Sequence, residues 1–271
     1  MPSACNWYLD RGDRLRPAAV ILGLPVHDVL VDDVVRLTRY WLHEEADRLH
    51  HIVTLNPEMV MTARRFPDFR SVVRHADLVT PDGIGILLAA RLLGTPLRGR
   101  ATGVEITQAL ARASEPRLRL FLLGAAPGVA DRAAQVLRQR FPTCQVVGCF
   151  AGSPADADAP AALEMIARMR PTVLLVAYGA PAQERWIARH RALLEAYGVV
   201  VALGVGGTFD YLAGVVPLPP AFVRQFGFEW LYRLLRQPWR WRRQLALPRF
   251  ATLVLVEAAR RRVLKKGMLP E

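Results

Sequence analysis

This sequence predicts an α/β fold in which a parallel sheet carries helices on both faces. Three observations predict it. Short apolar runs of strand length alternate with longer segments whose apolar residues recur at helical spacing. Five of the apolar runs end in a small, polar, Pro- or Gly-bearing turn that opens the next helical pattern: Thr54–Glu58, Thr80–Gly83, Leu123–Gly128, Tyr178–Glu184 and Leu203–Asp210. The 271 residues, 52% hydrophobic and 22% charged, suffice for a full α/β core and are too apolar for disorder.

The elements follow in order. Residues 1–17 read as a loose polar lead-in, and Ala18–Leu24 as a run of strand length. Asp28–Arg48 places Leu30, Val34, Leu37, Trp41 and Leu42 on one helical face. Strand-like Ile52–Leu55 and Leu78–Thr80 follow, then a helix over Ile84–Leu93 stopped by Gly94. Strand Leu118–Leu123, helix Val129–Phe141 and strand Gln145–Val147 come next. Ser153–Pro160, rich in Ala, Pro and Asp, is a loop. Helix Ala161–Arg170, strand Val173–Ala177, helix Gln183–Tyr197 and strand Val199–Leu203 complete the alternation. After Gly214 the pattern breaks at Pro217, Pro219 and Pro220, which puts a domain boundary near Val216. The expected domains are therefore residues 1–216 and 217–271.

A parallel sheet gathers its strand-to-helix turns on one edge, where such folds bind ligands. At Thr54-Leu55-Asn56-Pro57-Glu58, Asn56 is a natural helix cap and Pro57 a natural first helical residue. Thr54 and Asn56 equally well present polar groups to a substrate. At Thr80-Pro81-Asp82-Gly83, Asp82 either caps a helix or acts as a general base on a hydroxyl. Gly124 and Gly128, around Ala125 and Ala126, open backbone N–H groups at a helix start, which suits phosphate. Gly206 and Gly207, in Gly204–Gly207, offer a second such turn. Arg98-Gly99-Arg100-Ala101-Thr102-Gly103 reads as an anion clamp, against a bland reading of solvated loop arginines. Asp156-Ala157-Asp158 spells a metal–nucleotide signature, but no strand leads into it, and it is discounted.

Several classes are excluded or weakened. The three cysteines form no paired framework, which fits a reducing compartment, and the six histidines lack metal spacing. No signal peptide and no run of 18 uncharged apolar residues is visible. A nicotinamide fingerprint after Gly83 and Gly85 would need glycine at position 88, where Leu88 stands.

The charge is uneven. Residues 217–271 hold twelve Lys or Arg against three Glu, nine of the net twelve positive charges. Trp230, Tyr232, Trp239 and Trp241 lie among these cations. An anionic partner follows: lipid surface, phosphate or nucleic acid. Arg233, Arg236, Arg240 and Arg243 fall within roughly an 80° arc if helical geometry continues past Pro238.

Read together, seven segments resemble the WecG/TagA/CpsF glycosyltransferases. They are LNPEM (55–59), TPDGIGI (80–86), RATGVEIT (100–107), FLLGAAPGVA (121–130), YGAPAQERWI (178–187), GVGGTFDYLAG (204–214) and FEWLYRL (228–234). The resemblance spans about Leu22 to Arg243. It implies a Rossmann-like fold with a basic helical appendage, and an inverting, metal-independent transfer of a sugar from a UDP-sugar to a polyprenyl-diphosphate-linked acceptor. The setting implied is bacterial wall or surface-polysaccharide synthesis, including teichoic acid. Carried over by residue, it makes Asp82 the base and puts Thr54 and Asn56 at the reacting centre. Arg100, Thr102, Gly103, Gly124, Gly128, Gln183, Glu184, Gly206 and Gly207 would surround the donor. Arg233, Arg240 and Arg243 would meet the diphosphate or anionic lipid. Partners implied are an undecaprenyl-diphosphate acceptor and the inner, cytoplasmic face of the membrane, with self-association allowed and no nucleic acid. Two positions depart from the pattern: Glu105 stands where Asp is usual, and Leu218-Pro219-Pro220 where Arg-Ala-Pro is usual. N-acetylmannosamine, its uronic acid and glucose all remain open as donor sugars. A basic nucleic-acid-binding protein is the competing class, but it leaves the five turns without a purpose.

Overall fold

The computed structural model describes residues 15–220, Val223, 229–236 and 241–266; at 229, 230, 233, 236, 242, 243 and 264–266 only the backbone is described. Six parallel strands form the sheet. A two-stranded antiparallel hairpin forms a second sheet that packs on its face. The hairpin is β1 (Ala19–Ile21) and β2 (Leu24–Val26), so the single run expected over Ala18–Leu24 is in fact two strands. Leu22 and Gly23 both have positive φ, the backbone twist that closes a two-residue hairpin.

The first helix, α1 (Val31–Glu44), precedes β3 (His50–Leu55). Next come α2 (Pro57–Arg65) and α3 (Pro67–Arg74), divided at Phe66 by Pro67, then β4 (Leu78–Pro81) and α4 (Ile84–Leu92). Helix α5 (Gly103–Arg112), which is not among the elements expected from sequence although Ile106, Leu110 and Ala111 recur on one face, leads to β5 (Arg119–Gly124) and α6 (Val129–Arg140). Strand β6 (Gln145–Phe150) outruns its expected end by three residues. Helix α7 (Ala159–Met169), β7 (Val173–Ala177), α8 (Ala182–Arg189), α9 (Arg191–Ala196), β8 (Val201–Gly204) and α10 (Thr208–Leu212) complete the layers. The one helix expected over Gln183–Tyr197 is broken at His190. After it come α11 (Glu229–Arg236), α12 (Trp241–Gln244) and α13 (Ala246–Lys266).

The strand order is β4-β3-β8-β7-β5-β6, all parallel. Side-chain alternation along each strand fixes two faces. Ile52, Leu78, Leu120, Leu122, Leu175 and Leu203 pack under α1, α5, α6 and α10. On the opposite face Val53, Leu55 and Val79 pack under α2, α3, α4 and the hairpin. Phe121, Leu123, Leu174 and Val176 pack there under α7, α8 and α9. Helix α13 joins this second face: Phe250, Val254 and Ala258, one helical stripe, are buried in the cluster with α2 and α4. Arg261 on its next turn donates to the Val20 carbonyl of the hairpin at 3.0 Å.

Strand β8 sends α10 to the first face, whereas its neighbours β3 and β7 send α2 and α8 to the second. Such reversals open crevices outside the carboxyl ends of parallel strands. Here they flank the Gly204–Gly207 turn on both sides.

Candidate active site

The five turns predicted from sequence lie on one edge and are tied to each other. Leu55 pairs with Pro81 across β3 and β4, and Val53 with Gly204 across β3 and β8. The Asp82 backbone N–H donates to the Leu55 carbonyl at 2.8 Å, which seats Asp82 beside Asn56. Gly85 is required by the same approach: a Cβ there would lie 2.7 Å from the Pro57 ring. The two helix starts after β3 and β4 therefore pack side by side.

Asn56 caps α2, its Oδ1 accepting from the Met59 N–H at 3.0 Å. Thr54 is buried, and its hydroxyl donates to the Gly204 carbonyl at 3.1 Å across one crevice. Both polar groups thus serve the fold at this edge. The capping alternative for Asn56 is realised, while Asn56 itself stays partly exposed.

The Arg98–Gly103 segment divides. Arg98 is held by Asp28 (Nε–Oδ2 2.9 Å) and Asp33 (Nη2–Oδ2 2.7 Å), so it is not half of an anion clamp. Arg100, a half-buried side chain, approaches Glu105 at 4.0 Å. Ala101 is pinned to the end of β4, its N–H donating to the Pro81 carbonyl and its carbonyl accepting from the Thr80 hydroxyl, both at 2.9 Å. Thr102 caps α5, and Glu105 closes a reciprocal capping box with it. The longer Glu at this position reaches Thr102 Oγ1 at 2.8 Å. Gly103 meets the next turn: a Cβ would lie 3.2 Å from Val205 Cα. Gly103 is therefore brought to the Gly204–Gly207 turn, with Arg100 and Thr102 just before it in the chain.

Gln183 and Glu184 sit beneath that turn. Gln183 Oε1 accepts from the N–H groups of Gly179 and Gly206, both at 3.0 Å, and so joins the ends of β7 and β8. Glu184 has no exposed surface; its Oε1 accepts from Gln183 Nε2 at 2.7 Å, and its Oε2 is buried without a partner. Burial pushes its carboxyl up to about 7, against which the Gln183 bond pulls. Beyond β7, Gly124 fits against Ala177 and Tyr178, 2.9 Å from each for an added Cβ. Gly128 starts α6 in left-handed geometry, φ 78°. Gly207 lies beside Asp210, whose Oδ2 an added Cβ would meet at 3.5 Å.

Tyr178 opens the turn after β7 and is not among the expected site residues. Its ring packs edge-on against Trp186 at 6.0 Å, and its hydroxyl is buried without a hydrogen-bond partner where Gly152 approaches. Burial and Asp158 raise its phenol. The Tyr-Gly pair closing an apolar run was the available signal.

Asp156 stands apart in an ion pair with Arg189, at the loop before α7. Among the described residues no three His, Cys, Asp or Glu gather in a metal-binding group. Arg233 lies on α11 and Arg243 on α12, with side chains outside the described residues; Arg240 lies outside them altogether. The tail reaches the edge elsewhere: Gln244 Nε2 donates to Glu58 Oε1 on α2 at 3.3 Å.

A row of turns from β4 to β5, joined by backbone and side-chain bonds, gathers polar side chains, glycines and a carboxylate at one rim. Such an edge can hold a nucleotide and deprotonate a hydroxyl. Known proteins resemble this chain over most of its length. The Bacillus spizizenii N-acetylglucosaminyldiphosphoundecaprenol N-acetyl-beta-D-mannosaminyltransferase is 38% identical over 205 residues, 75% of this chain and 78% of its own length. The Bacillus subtilis protein of the same name is 33% identical over 76% of this chain and 79% of its own. A Staphylococcus aureus counterpart is 29% identical over 90% and 94%. The sequence model of the glycosyl transferase WecG/TagA/CpsF family matches residues 19–264, and the chain belongs to that family.

Proposed function

We propose that this protein transfers N-acetylmannosamine from its UDP conjugate to a sugar linked through diphosphate to a polyprenol, with inversion at the reacting carbon. The observation that carries the reading is the similarity to N-acetylmannosaminyltransferases across three quarters of the chain. The rim described above supports it. Asp82, seated by its backbone bond to Leu55, takes the proton of the acceptor hydroxyl. The freed oxygen attacks the anomeric carbon of the donor from the far side. The carbon–oxygen bond to UDP breaks, and the diphosphate leaves with the electron pair.

Thr54 and Asn56 flank that centre. The Gly124–Gly128 and Gly204–Gly207 turns, Arg100, Thr102, Gly103 and Gln183 shape the donor pocket, and the fully buried Glu184 supports it through its bond with Gln183. The leaving diphosphate is neutralised by Arg100 and by arginines of the tail, Arg233, Arg240 and Arg243 among them, without a metal. Among the described residues no helix is long and apolar enough to cross a membrane. The protein meets its lipid acceptor as a peripheral partner of the cytoplasmic membrane face, through exposed cations and apolar residues of the tail.

The test is a panel of UDP-N-acetylmannosamine, its uronic acid and UDP-glucose, each with N-acetylglucosaminyl-diphosphoundecaprenol. UDP release with the first donor alone is the expected outcome. Release with none of the three overturns the reading, and release with another shifts the donor.

A further inference from the structure

Gln183 and Glu184 open α8, and both side chains turn inward beneath the end of β8. Gln183 is 2% exposed and Glu184 not at all, so neither offers much surface to a ligand. Their hydrogen bonds run in one direction only. Gln183 Oε1 accepts from two backbone N–H groups, those of Gly179 after β7 and Gly206 after β8. Gln183 Nε2 donates to Glu184 Oε1 at 2.7 Å. With the amide turned over, Nε2 would face two donors and Oε1 a carboxyl oxygen. The carboxyl oxygen of Glu184 therefore decides which way the amide points, and the amide decides where the Gly206 N–H is held. The Val205 N–H is bonded to the Val176 carbonyl at 2.8 Å. These two N–H groups of the Gly204–Gly207 turn thus face protein partners and not a phosphate.

Glu184 Oε2 is buried without a partner. The charged groups of the surrounding elements are engaged elsewhere or face outward. Arg185 of α8 pairs with Asp68 of α3 at 2.7 Å, and Arg189 with Asp156. Arg191 and Glu195 of α9 pair at 3.1 Å. On α3, Arg70 lies against Gly23, and Arg74 and the following His75 are exposed. His190 packs on Trp186, and Asp210 of α10 lies beside Gly207. Strands β7 and β8 carry no charged side chain. An ionised Glu184 would be a buried charge without a counter-charge, which is costly. Hydrating it requires its cover to lift. Gly204 is part of that cover, since an added Cβ there would lie 2.5 Å from Glu184 Oε1.

We infer that Glu184 is a positioning residue for the donor site: it directs the Gln183 amide, which ties the Gly204–Gly207 turn to the end of β7. The inference rests on the donor-pocket reading above. The protonated carboxyl keeps the turn closed, and ionisation loosens it. With a carboxyl titrating at about 7, about nine-tenths is ionised at about pH 8. If only the closed turn binds nucleotide, the apparent affinity then falls by up to about tenfold.

The test follows backbone amide exchange and UDP binding in the full chain, from about pH 6 to about pH 8. In the wild type the Gly206 N–H is expected to lose protection across that range. The reference is the Ala101 N–H, held by the Pro81 carbonyl at another turn of the rim. UDP is expected to bind about tenfold more weakly at the upper end. Glu184→Gln, an acceptor that never ionises, flattens both profiles. Glu184→Met, which has no acceptor oxygen, loses Gly206 protection at every pH. Protection that ignores either the pH or the methionine overturns the inference, and so does a glutamine variant that behaves like the methionine one. UDP affinity that stays level while the amide responds overturns the link to the donor site. Should Glu184→Met not fold, the wild-type series against Glu184→Gln decides alone. A Gly206 response that Glu184→Gln removes, in a protein that binds no UDP, upholds the positioning role and sinks the donor reading instead.

Discussion

Gln183 Nε2 and Glu184 Oε1, 2.7 Å apart, occupy the space that any side chain at position 204 would need. A Cβ on Gly204 would lie 2.5 Å from each of those two atoms. The end of β8 is therefore glycine because a buried Gln–Glu pair lies under it. Gly204→Ala must displace a bonded pair in a close-packed site, and should cost about 1–3 kcal/mol. Urea unfolding measures it. A cost near zero would show that the pair yields freely.

Glu184 also sets a pH dependence whose sign can be fixed. Its folded value, about 7, lies above the ordinary 4.5, so the native state holds a proton that the unfolded state has released. Stability from this group is full below 4.5 and is lost as pH rises to about 7. The loss is at most about 3 kcal/mol for such a shift. Glu184→Gln removes it. Wild type minus variant stability should fall between pH 4.5 and 7 and stay flat above. A pH-independent difference would contradict the assignment.

His51 acts in the opposite sense. Burial, helped by Arg191 and opposed by Asp77, lowers it to about 4 from 6.5. The unfolded state takes up the proton first, so stability is lost as pH falls from 6.5 to 4. His51→Phe should flatten that slope. The two groups offset one another through the overlap of their ranges, so the whole-protein profile hides both. Difference profiles against each variant reveal them.

The sheet edge was legible in the sequence because Gly, Pro, Asn and Asp punctuate it: the five turns and the cap at Asn56 are where the residues put them. What was not legible depended on partners distant in the chain. Arg98 reads as an anion ligand until Asp28 and Asp33, 70 and 65 residues away, are seen to hold it. Glu184 reads as a donor-pocket residue, yet its surroundings, Gln183 and Gly204, bury it completely. Helix α5 hides behind glycines and arginines that read as a loop. The capping box of Thr102 and Glu105 is its signal. Charge dominates the reading of the tail. Its stripe Phe250, Val254, Ala258 docks on the second face through ordinary helical periodicity.

That docking changes what truncation tests. Removing residues after Val216 strips α13 from α2 and α4, exposing Phe250's partners in the core. It should lower stability as well as membrane affinity. Arg260→Gln/Arg262→Gln leaves the core alone, since both residues are exposed. Each should weaken binding to anionic vesicles by about 1 kcal/mol. Co-sedimentation at low and high salt checks this. Unchanged binding would remove these arginines from the membrane contact.

Asn56 carries both a structural and a proposed chemical role, and substitution can part them. Asn56→Ala loses the bond to the Met59 N–H and should cost about 1 kcal/mol. Asn56→Ser keeps a capping oxygen and should keep that stability. If Asn56 also touches the reacting sugar, the serine variant loses turnover while its unfolding curve matches the wild type. Full turnover in Asn56→Ser reduces the residue to a cap.

Asp82→Asn is the sharpest test of the chemistry. The substitution is isosteric and leaves the backbone bond to the Leu55 carbonyl in place, so the turn between β4 and α4 should persist. The amide does not accept the proton of an attacking hydroxyl. Loss of a general base typically costs about 10²- to 10⁴-fold in rate. The fall should appear in kcat, with KM for donor and acceptor little changed, because the base acts mainly in the transition state. Asp82→Glu should recover part of the rate, since it restores a carboxylate displaced by one methylene. Full kcat in Asp82→Asn removes Asp82 from catalysis, and a rise in KM alone assigns it to binding.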